Sequence, residues 1–319
     1  MIRTNLLIKP QNETTLAPVT ATMLPELQSL LSTVGKQDPF QRSAAYYAMT
    51  GRKGLWLYSD DNTMMLVAVH PNKNNTILMF PPFGDDPAGL MEKALNDPII
   101  PAGNREIARL GEEDAYLALR LQAAGASAPY QEQVLDWTYP VHVISTRCVI
   151  ERQGGKFNSF RGHVNRALRA GLTASPVDFN RHAADVLDIV GAWARDGKKA
   201  GYSFNDLTTP TMQVISLMQH GSLPLAGVVI FDDRRPVGFW FWDESDQKNA
   251  TAMSLVRVSI GSNGAAEFGA LKMCELLSDR GFEHICLGGS ETVSLDRFKR
   301  KLGPVQSIEL KTACYPKIM

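Results

Sequence analysis

The sequence predicts an α+β protein that carries one structural plan twice, and three observations support that reading. Helical stretches and short β-type runs follow the same order in both halves of the chain. Turn residues stand between the strands, and glycines close the helices. At 319 residues the chain is long enough for two domains of ordinary size, expected at 1–135 and 136–319.

In the first half, MLPELQSLLSTVG and DPFQRSAAYYAMTG have helical character and end at glycine. Three β-type runs follow, LWLYS, MMLVAVH and TILMF, the first two joined by Asp60-Asp61-Asn62. PAGLMEKALND reads as a helix, EIARL as a short apolar run, EEDAYLALRLQAAG as a helix and QEQVLDW as a strand. AGASAP then breaks the pattern, and the boundary is expected within 128–145. The second half opens on a basic segment, followed by the helical stretches RHAADVLDIVGAWARD and TPTMQVISLMQHG. LAGVVIFD and PVGFWFWDE form a hairpin turned by Asp233-Arg234-Arg235. ATAMSLVRVSI is a third strand, GAAEFGALKMCELLSDRG a helix, HICLG a strand, SLDRFKRKLG a short helix and SIELKTACY the last strand. Each unit is therefore expected to be a mixed, mostly antiparallel sheet flanked by helices. In PVGFWFWDE, Phe239 and Phe241 alternate with Trp240 and Trp242, so both faces of that strand are apolar. It reads as a central strand covered on both sides, not as a base-stacking platform.

The apolar fraction of 44% and charged fraction of 21% are those of a soluble globular protein. Lys plus Arg (33) balances Asp plus Glu (33), so a polyanion has to meet a local patch. No apolar run is long enough to span a bilayer, and the N-terminus lacks a secretory pattern, which predicts a cytoplasmic protein. The four cysteines are scattered, without metal-ligand or disulfide spacing. No metal and no tightly bound cofactor are expected.

Positive charge gathers in GGKFNSFRGHVNRALRAGL, residues 154–172, which holds Lys156, Arg161, His163, Arg166 and Arg169 and no carboxylate. On a helix beginning near Phe157, Phe160, Val164, Ala167 and Leu168 form an apolar stripe and leave the cations outside. A helix that merely solubilises usually mixes signs at i±4, so the cluster points to a bound anion, with a solvated polar face as the alternative. SLDRFKRKLG repeats the imbalance, with Arg297, Lys299, Arg300 and Lys301 against Asp296. Ser294 as an N-cap, a staple of Val293 on Phe298 and the Gly303-Pro304 stop explain its fold, and cations in its last turn suit the helix dipole. If both helices line one cleft, they make one positive wall. At SIGSNGAAEF, glycines at a strand-to-helix junction free backbone N–H groups for a phosphate, with Arg257, Gly261, Ser262, Asn263, Gly264 and Ala265 as candidate carrier-binding residues. The same residues equally describe an ordinary glycine-capped helix. The corresponding FPPFGDDPAG, with two carboxylates and three prolines, is not expected to hold an anion.

This order of elements resembles the GNAT acyltransferase superfamily. Two such units in one chain resemble the C-terminal domain of phosphatidylglycerol lysyltransferases and, more loosely, the Fem-type aminoacyltransferases. GKFNSFRGHVNRALRAG is similar to the family's basic run around a His-x-Asn-Arg. In SLDRFKRKLGP, Leu295, Lys299 and Pro304 fall where its last motif has Leu, Lys and Pro. The resemblance implies tandem GNAT-like units and transfer of an acyl or aminoacyl group from a phosphate-bearing carrier to an amine or hydroxyl. The carrier is acyl-CoA or aminoacyl-tRNA, and the active site lies in the second unit. Gly264 and Ala266 match the tail of the GNAT coenzyme pattern, but position 261 is Gly where that pattern has Gln or Arg, and Phe298 stands where many GNAT enzymes have an acidic Tyr.

Such a transfer needs a proton acceptor and donors for an oxyanion. Glu291 is the candidate base, with Asp243 and Glu244 behind it, and backbone amides near 257–261 are the candidate donors. The cations Lys156, Arg161, His163, Arg166, Arg169, Arg297 and Lys299 are the candidate phosphate ligands. No Ser-His-Asp or Cys-His order and no Walker loop stands out, so no covalent enzyme intermediate is expected. The lysyltransferase family commonly carries membrane spans ahead of this domain, and this sequence shows none. That leaves lipid, peptide, nucleobase or metabolite open as acceptor. A reading from another class is a non-catalytic module that holds RNA or another polyanion in its basic cleft.

Overall fold

The computed structural model describes residues 14–34, 38–60, 62–128, 139–199, 207–261 and 264–315. The chain divides into two units: Met1–Pro140 with Gly289–Thr292 and Ile308–Met319, and Val141–Gly288 with Val293–Ser307.

The first unit runs β1 (Thr15–Pro18), α1 (Leu24–Val34), α2 (Ala44–Thr50), β2 (Leu55–Asp60), β3 (Thr63–Val69), β4 (Thr76–Met79), α3 (Pro87–Asn96), β5 (Asn104–Leu110) and α4 (Ala115–Ala123). Local chemistry starts its helices. Ser43 Oγ accepts the Tyr46 N–H at 3.1 Å ahead of α2, and Asp86 Oδ1 accepts the Gly89 N–H at 2.9 Å at the start of α3. Asp86 thus occupies the helix terminus in FPPFGDDPAG. Strands β2 and β3 form a hairpin, β4 pairs antiparallel with β3, and α3 crosses over to the parallel neighbour β5. Tyr58, Met65, Val67, Met79, Met91, Leu95 and Ile107 pack as the core. Arg109 is buried beside it, its Nε donating to Asp38 Oδ2 at 3.0 Å and its Nη1 to the Tyr46 hydroxyl at 3.1 Å.

The second unit runs β6 (Val141–Ser145), α5 (Thr146–Glu151), α6 (Asn158–Arg169), β7 (Thr173–Pro176), α7 (Phe179–Lys199), α8 (Thr208–His220), β8 (Leu225–Asp232), β9 (Arg235–Asp243), β10 (Thr251–Ser259), α9 (Ala265–Asp279), β11 (His284–Cys286), α10 (Val293–Lys301) and β12 (Gln306–Ile308). Among the described residues its sheet has the order β12-β6-β11-β10-β9-β8-β7, with β10 and β11 parallel around α9. Strand β9 is central, as its two apolar faces require. Trp240 and Trp242 join the core made with Phe160, Val164, Leu271 and Cys274, while α7 packs against β9. Trp240 Nε1 donates to Ser254 Oγ at 2.6 Å, which satisfies the buried indole.

Among the strands and α-helices described, β1, β6, α5 and β7 lie outside the elements expected from the sequence. QEQVLDW, Asp61 and the first 13 residues lie outside the described residues. SIELKTACY is not one strand. It divides into β12, at the edge of the second sheet, and β13 (Lys311–Tyr315), which pairs antiparallel with β5 of the first sheet. Ala313 is buried in the first core, so the chain's last strand completes the first unit, where the sequence assigned everything after 136 to the second. The first sheet therefore reads β1-β2-β3-β4-β5-β13.

Candidate functional site

Helix α6 carries the basic segment. Phe160, Val164 and Ala167 are buried, but Leu168 is 51% exposed, so the apolar stripe is narrower than its spacing suggests. Leu168 lies a further 100° or so round the helix from Ala167 and leaves the packed face. Lys156, Arg166 and Arg169 are exposed. Lys156 Nζ lies 5.2 Å above the Phe157 ring, and Arg169 Nε reaches the Asn165 carbonyl at 3.3 Å. Arg166 has no hydrogen-bond or ion-pair partner among the described residues. Arg161, expected as a phosphate ligand, donates from its guanidinium to the carbonyls of Arg152 and Gly154, the latter at 2.9 Å, and to Asn158 Oδ1. Those bonds clamp the turn that leads into α6.

The glycine junction brings α6 onto the start of α9. Gly264 adopts φ 95°, and a Cβ there would lie 2.3 Å from the His163 carbonyl oxygen, so the two backbones approach closer than any side chain permits. Ala265 is buried, Gly261 has φ 59°, and Ser262 and Asn263 lie outside the described residues. In the first turn of α9 stands Glu267, 5% exposed. Its Oε1 accepts Lys301 Nζ at 2.8 Å and lies 4.0 Å from His163 Nδ1. His163 Nδ1 is 2.7 Å from the Ser159 carbonyl. A carbonyl only accepts, so Nδ1 carries the proton and Nε2 the lone pair.

Contacts continue from this cluster to the sheet. Lys301 Nζ stands 5.7 Å from the Phe298 ring centroid, and the Arg257 guanidinium lies 4.2 Å from Phe298 and 5.2 Å from Trp240. Phe298 thus serves as a platform for two cations where a tyrosine acid was absent. Strands β10 and β11 pair only as far as Met253 and Cys286, and the β10–β9 register shifts between Ser254 and Arg257. Beyond Met253, β10 has no β11 partner in register among the described residues.

Other expected site residues are placed elsewhere. Asp243 pairs in register with Met253, while Ser259 pairs with Gly238 at the other end of β10. At about 3.3 Å per residue, Asp243 and Glu244 are roughly 20 Å from the junction with α9. Asp243 Oδ1 accepts the Ser245 N–H at 2.8 Å, and Glu244 Oε1 accepts Trp242 Nε1 at 2.7 Å and pairs with Arg280. These carboxylates, expected as reserve bases, hold a turn and an indole. Lys299, expected as a phosphate ligand, is 4% exposed, and its Nζ donates to the Gly288 carbonyl at 3.0 Å, pinning the segment after β11. Arg297 is exposed on α10. Helix α10 starts at Val293, which is 48% exposed. Glu291 is half-buried in Gly289–Thr292, which groups with the first unit. The sequence reading missed Glu267 and Lys301 as a pair. The available signal was an acid three residues into a helix that follows a glycine cap, where the dipole favours a carboxylate.

Residues 33–308 match the family model "Phosphatidylglycerol lysyltransferase, C-terminal". The chain belongs to this family. Solved structures share its fold. A conserved protein of unknown function from Bacteroides thetaiotaomicron superposes with TM-score 0.74 at 14% identity, covering 95% of this chain and 100% of its own. The L-PGS of Bacillus licheniformis gives TM-score 0.61 at 15% identity, over 92% of both chains. A tandem GNAT protein from the clavulanic acid biosynthesis pathway gives 0.56 at 12% identity, over 95% of this chain and 98% of its own. No curated protein matches by sequence. The two units of this lysyltransferase-family chain are tandem GNAT-like units, and the protein is a transferase of acyl or aminoacyl groups. Among the described residues, no helix is long and apolar enough to cross a membrane, and no group of metal-ligating side chains is assembled.

Proposed function

We propose that this protein transfers an aminoacyl group from aminoacyl-tRNA to a hydroxyl or amine acceptor, and that acyl-CoA is not its donor. The observation that carries the choice is Glu267. A coenzyme pyrophosphate docks on the free N–H groups of a helix N-terminus. Here a nearly buried carboxylate stands in the first turn of α9, already compensated by Lys301 at 2.8 Å. A second anion would meet it in a low-dielectric setting, where repulsion is strong. Position 261 also lacks the side chain the coenzyme pattern uses. The cations Lys156, Arg166, Arg169 and Arg297 lie instead on exposed positions of the segment leading into α6, of α6 itself and of α10, as a long polyanion would need.

The acceptor attacks the carbonyl of the aminoacyl ester and gives its proton to His163 Nε2. Glu267 Oε1 lies 4.0 Å from Nδ1 on the other side of the ring. N–H groups of β10 beyond the bulge receive the oxyanion. The tRNA hydroxyl departs with the proton returned from His163. A tRNA donor assigns the reaction to the cytoplasm.

The test pairs a melt with a transfer assay. Acetyl-CoA at about a hundred times a dissociation constant would stabilise the fold by roughly 2.7 kcal/mol, and no shift is expected. Labelled aminoacyl-tRNA with phosphatidylglycerol vesicles, the acceptor the family name suggests, should yield labelled lipid. Reversing Arg166 and Arg169 to Glu should weaken tRNA binding and lower its salt slope by roughly one to two. A melt shift with acetyl-CoA, or unchanged tRNA affinity in the double variant, overturns the proposal. Binding of tRNA with no transfer to lipid, peptide or metabolite acceptors favours the binding-module reading.

A further inference from the structure

On the outer edge of the second sheet, three residues that are far apart in sequence converge. His142 of β6 is 0% exposed. Its Nδ1 lies 2.9 Å from Ser307 Oγ of β12, and its Nε2 lies 2.7 Å from Asp296 Oδ1 of α10. Asp296 Oδ2 accepts Arg300 Nε at 2.6 Å. A carboxylate only accepts, so Nε2 bears the proton of the neutral ring and Nδ1 presents its lone pair to the Ser307 hydroxyl. We propose that Ser307, His142 and Asp296 form a nucleophilic serine site that cleaves small activated carboxylic esters, distinct from the α6–α9 cluster.

Several features fit that chemistry. Ser307 is exposed while the base beneath it is buried, so the hydroxyl is the member of the set that a substrate can reach. Burial keeps His142 below the ordinary imidazole range, outweighing the bond from Asp296, so the ring is neutral at pH 7. Burial opposes ionisation of Asp296, but the hydrogen bonds from His142 and Arg300 outweigh it and hold the carboxyl below its usual range. The other charged groups acting on His142, Lys299 and Arg300 of α10, favour the neutral ring as well. Strand β12 ends the sheet order, and the Val305 N–H bonds to Val143 O at 2.8 Å. Strand alternation then turns the N–H group of Gln306 to the outer side of β12, an edge strand among the described residues, beside Ser307 as an oxyanion donor.

The step balances without a co-reactant other than water. Ser307 Oγ bonds to the ester carbonyl carbon while its proton passes to His142 Nδ1. The carbon–oxygen bond to the alcohol breaks, and the alcohol leaves with that proton. Water then repeats the sequence on the acyl-serine, releasing the carboxylic acid and restoring Ser307.

The test uses the full chain and an alkyl fluorophosphonate, whose phosphorus is captured by an activated serine with loss of fluoride. Mass spectrometry should find the adduct on Ser307, and labelling should vanish in Ser307→Ala. That variant should lose roughly a hundredfold of p-nitrophenyl acetate hydrolysis while keeping its melting midpoint and aminoacyl transfer. His142→Gln should slow labelling to a similar degree. If that variant does not fold, the wild-type pH profile decides: labelling should slow on acidification as His142 gains a proton. An unlabelled Ser307, or labelling that does not slow on acidification at any pH where the chain stays folded, overturns the proposal and leaves the three residues as a brace between α10 and the sheet edge.

Discussion

At the scale of single residues, chemistry is set by which partner each polar atom finds. In the proposed transfer His163 is the base, its Nδ1 lying 2.7 Å from the Ser159 carbonyl, which leaves Nε2 to take the proton. His163→Gln should therefore lower kcat of aminoacyl transfer by about 10²–10⁴-fold with tRNA affinity retained, whereas Glu291→Gln should change it little. Collapse confined to Glu291→Gln would move the base to the segment after β11. His70 shows the same logic in the first unit. Its Nδ1 accepts the N–H groups of Asn72 and Lys73, both at 3.0 Å, and burial, followed by Lys73, Lys53 and Arg52, pushes its pKa down to about 4. The unfolded chain binds that proton near pH 6.5, so the stability contribution is complete above about pH 6.5 and is lost as pH falls toward about 4. His142, also held low, adds with the same sign. Melting midpoints should fall between pH 7 and 5, and a rise on acidification would contradict both assignments. None of these partners is near in a way that composition reveals. Arg161, Lys299, Asp243 and Glu244 carried the right charges in the sequence, but only the structure shows their carbonyl, indole and backbone partners.

At the scale of elements, the sequence was more informative, because hydrophobic period and glycine position are local properties. Helix α6, the β8–β9 hairpin and the β10–α9 junction all stand where pattern placed them. Pattern could not show that α6 crosses the first turn of α9 at backbone contact. Gly264→Ala tests that crossing: it forces a non-glycine φ of 95° and a Cβ 2.3 Å from the His163 carbonyl. The strained backbone alone costs about 1–3 kcal/mol, and transfer activity should fall with it because His163 is displaced. An unchanged melt and unchanged kinetics would mean that the crossing is not needed. The β7 and β6 strands escaped the reading because they are short, and β6 runs directly into α5. Four- or five-residue runs of that kind carry little periodicity.

At the scale of the whole molecule, the last strand returns to the first sheet. Removing residues 309–319 deletes β13, exposes the edge of β5 and takes Ala313 from the first core. Hydrogen exchange should accelerate in β4 and β5 and stay unchanged in β8–β10, which lie in the other unit's sheet. Uniform acceleration in both sheets, or none in β5, would refute that assignment. The sequence alone determined that two α+β plans follow one another, that one strand is covered on both faces, and that a basic helix and a glycine junction belong to the second plan. Those properties are written in neighbouring residues. Only the tertiary structure decided that β13 crosses back, that Glu267 fills the helix terminus with Lys301 as counterion, and that Ser307, His142 and Asp296 meet. Each of these joins residues separated by tens to more than a hundred positions, and only packing sets which side chains meet across such a span.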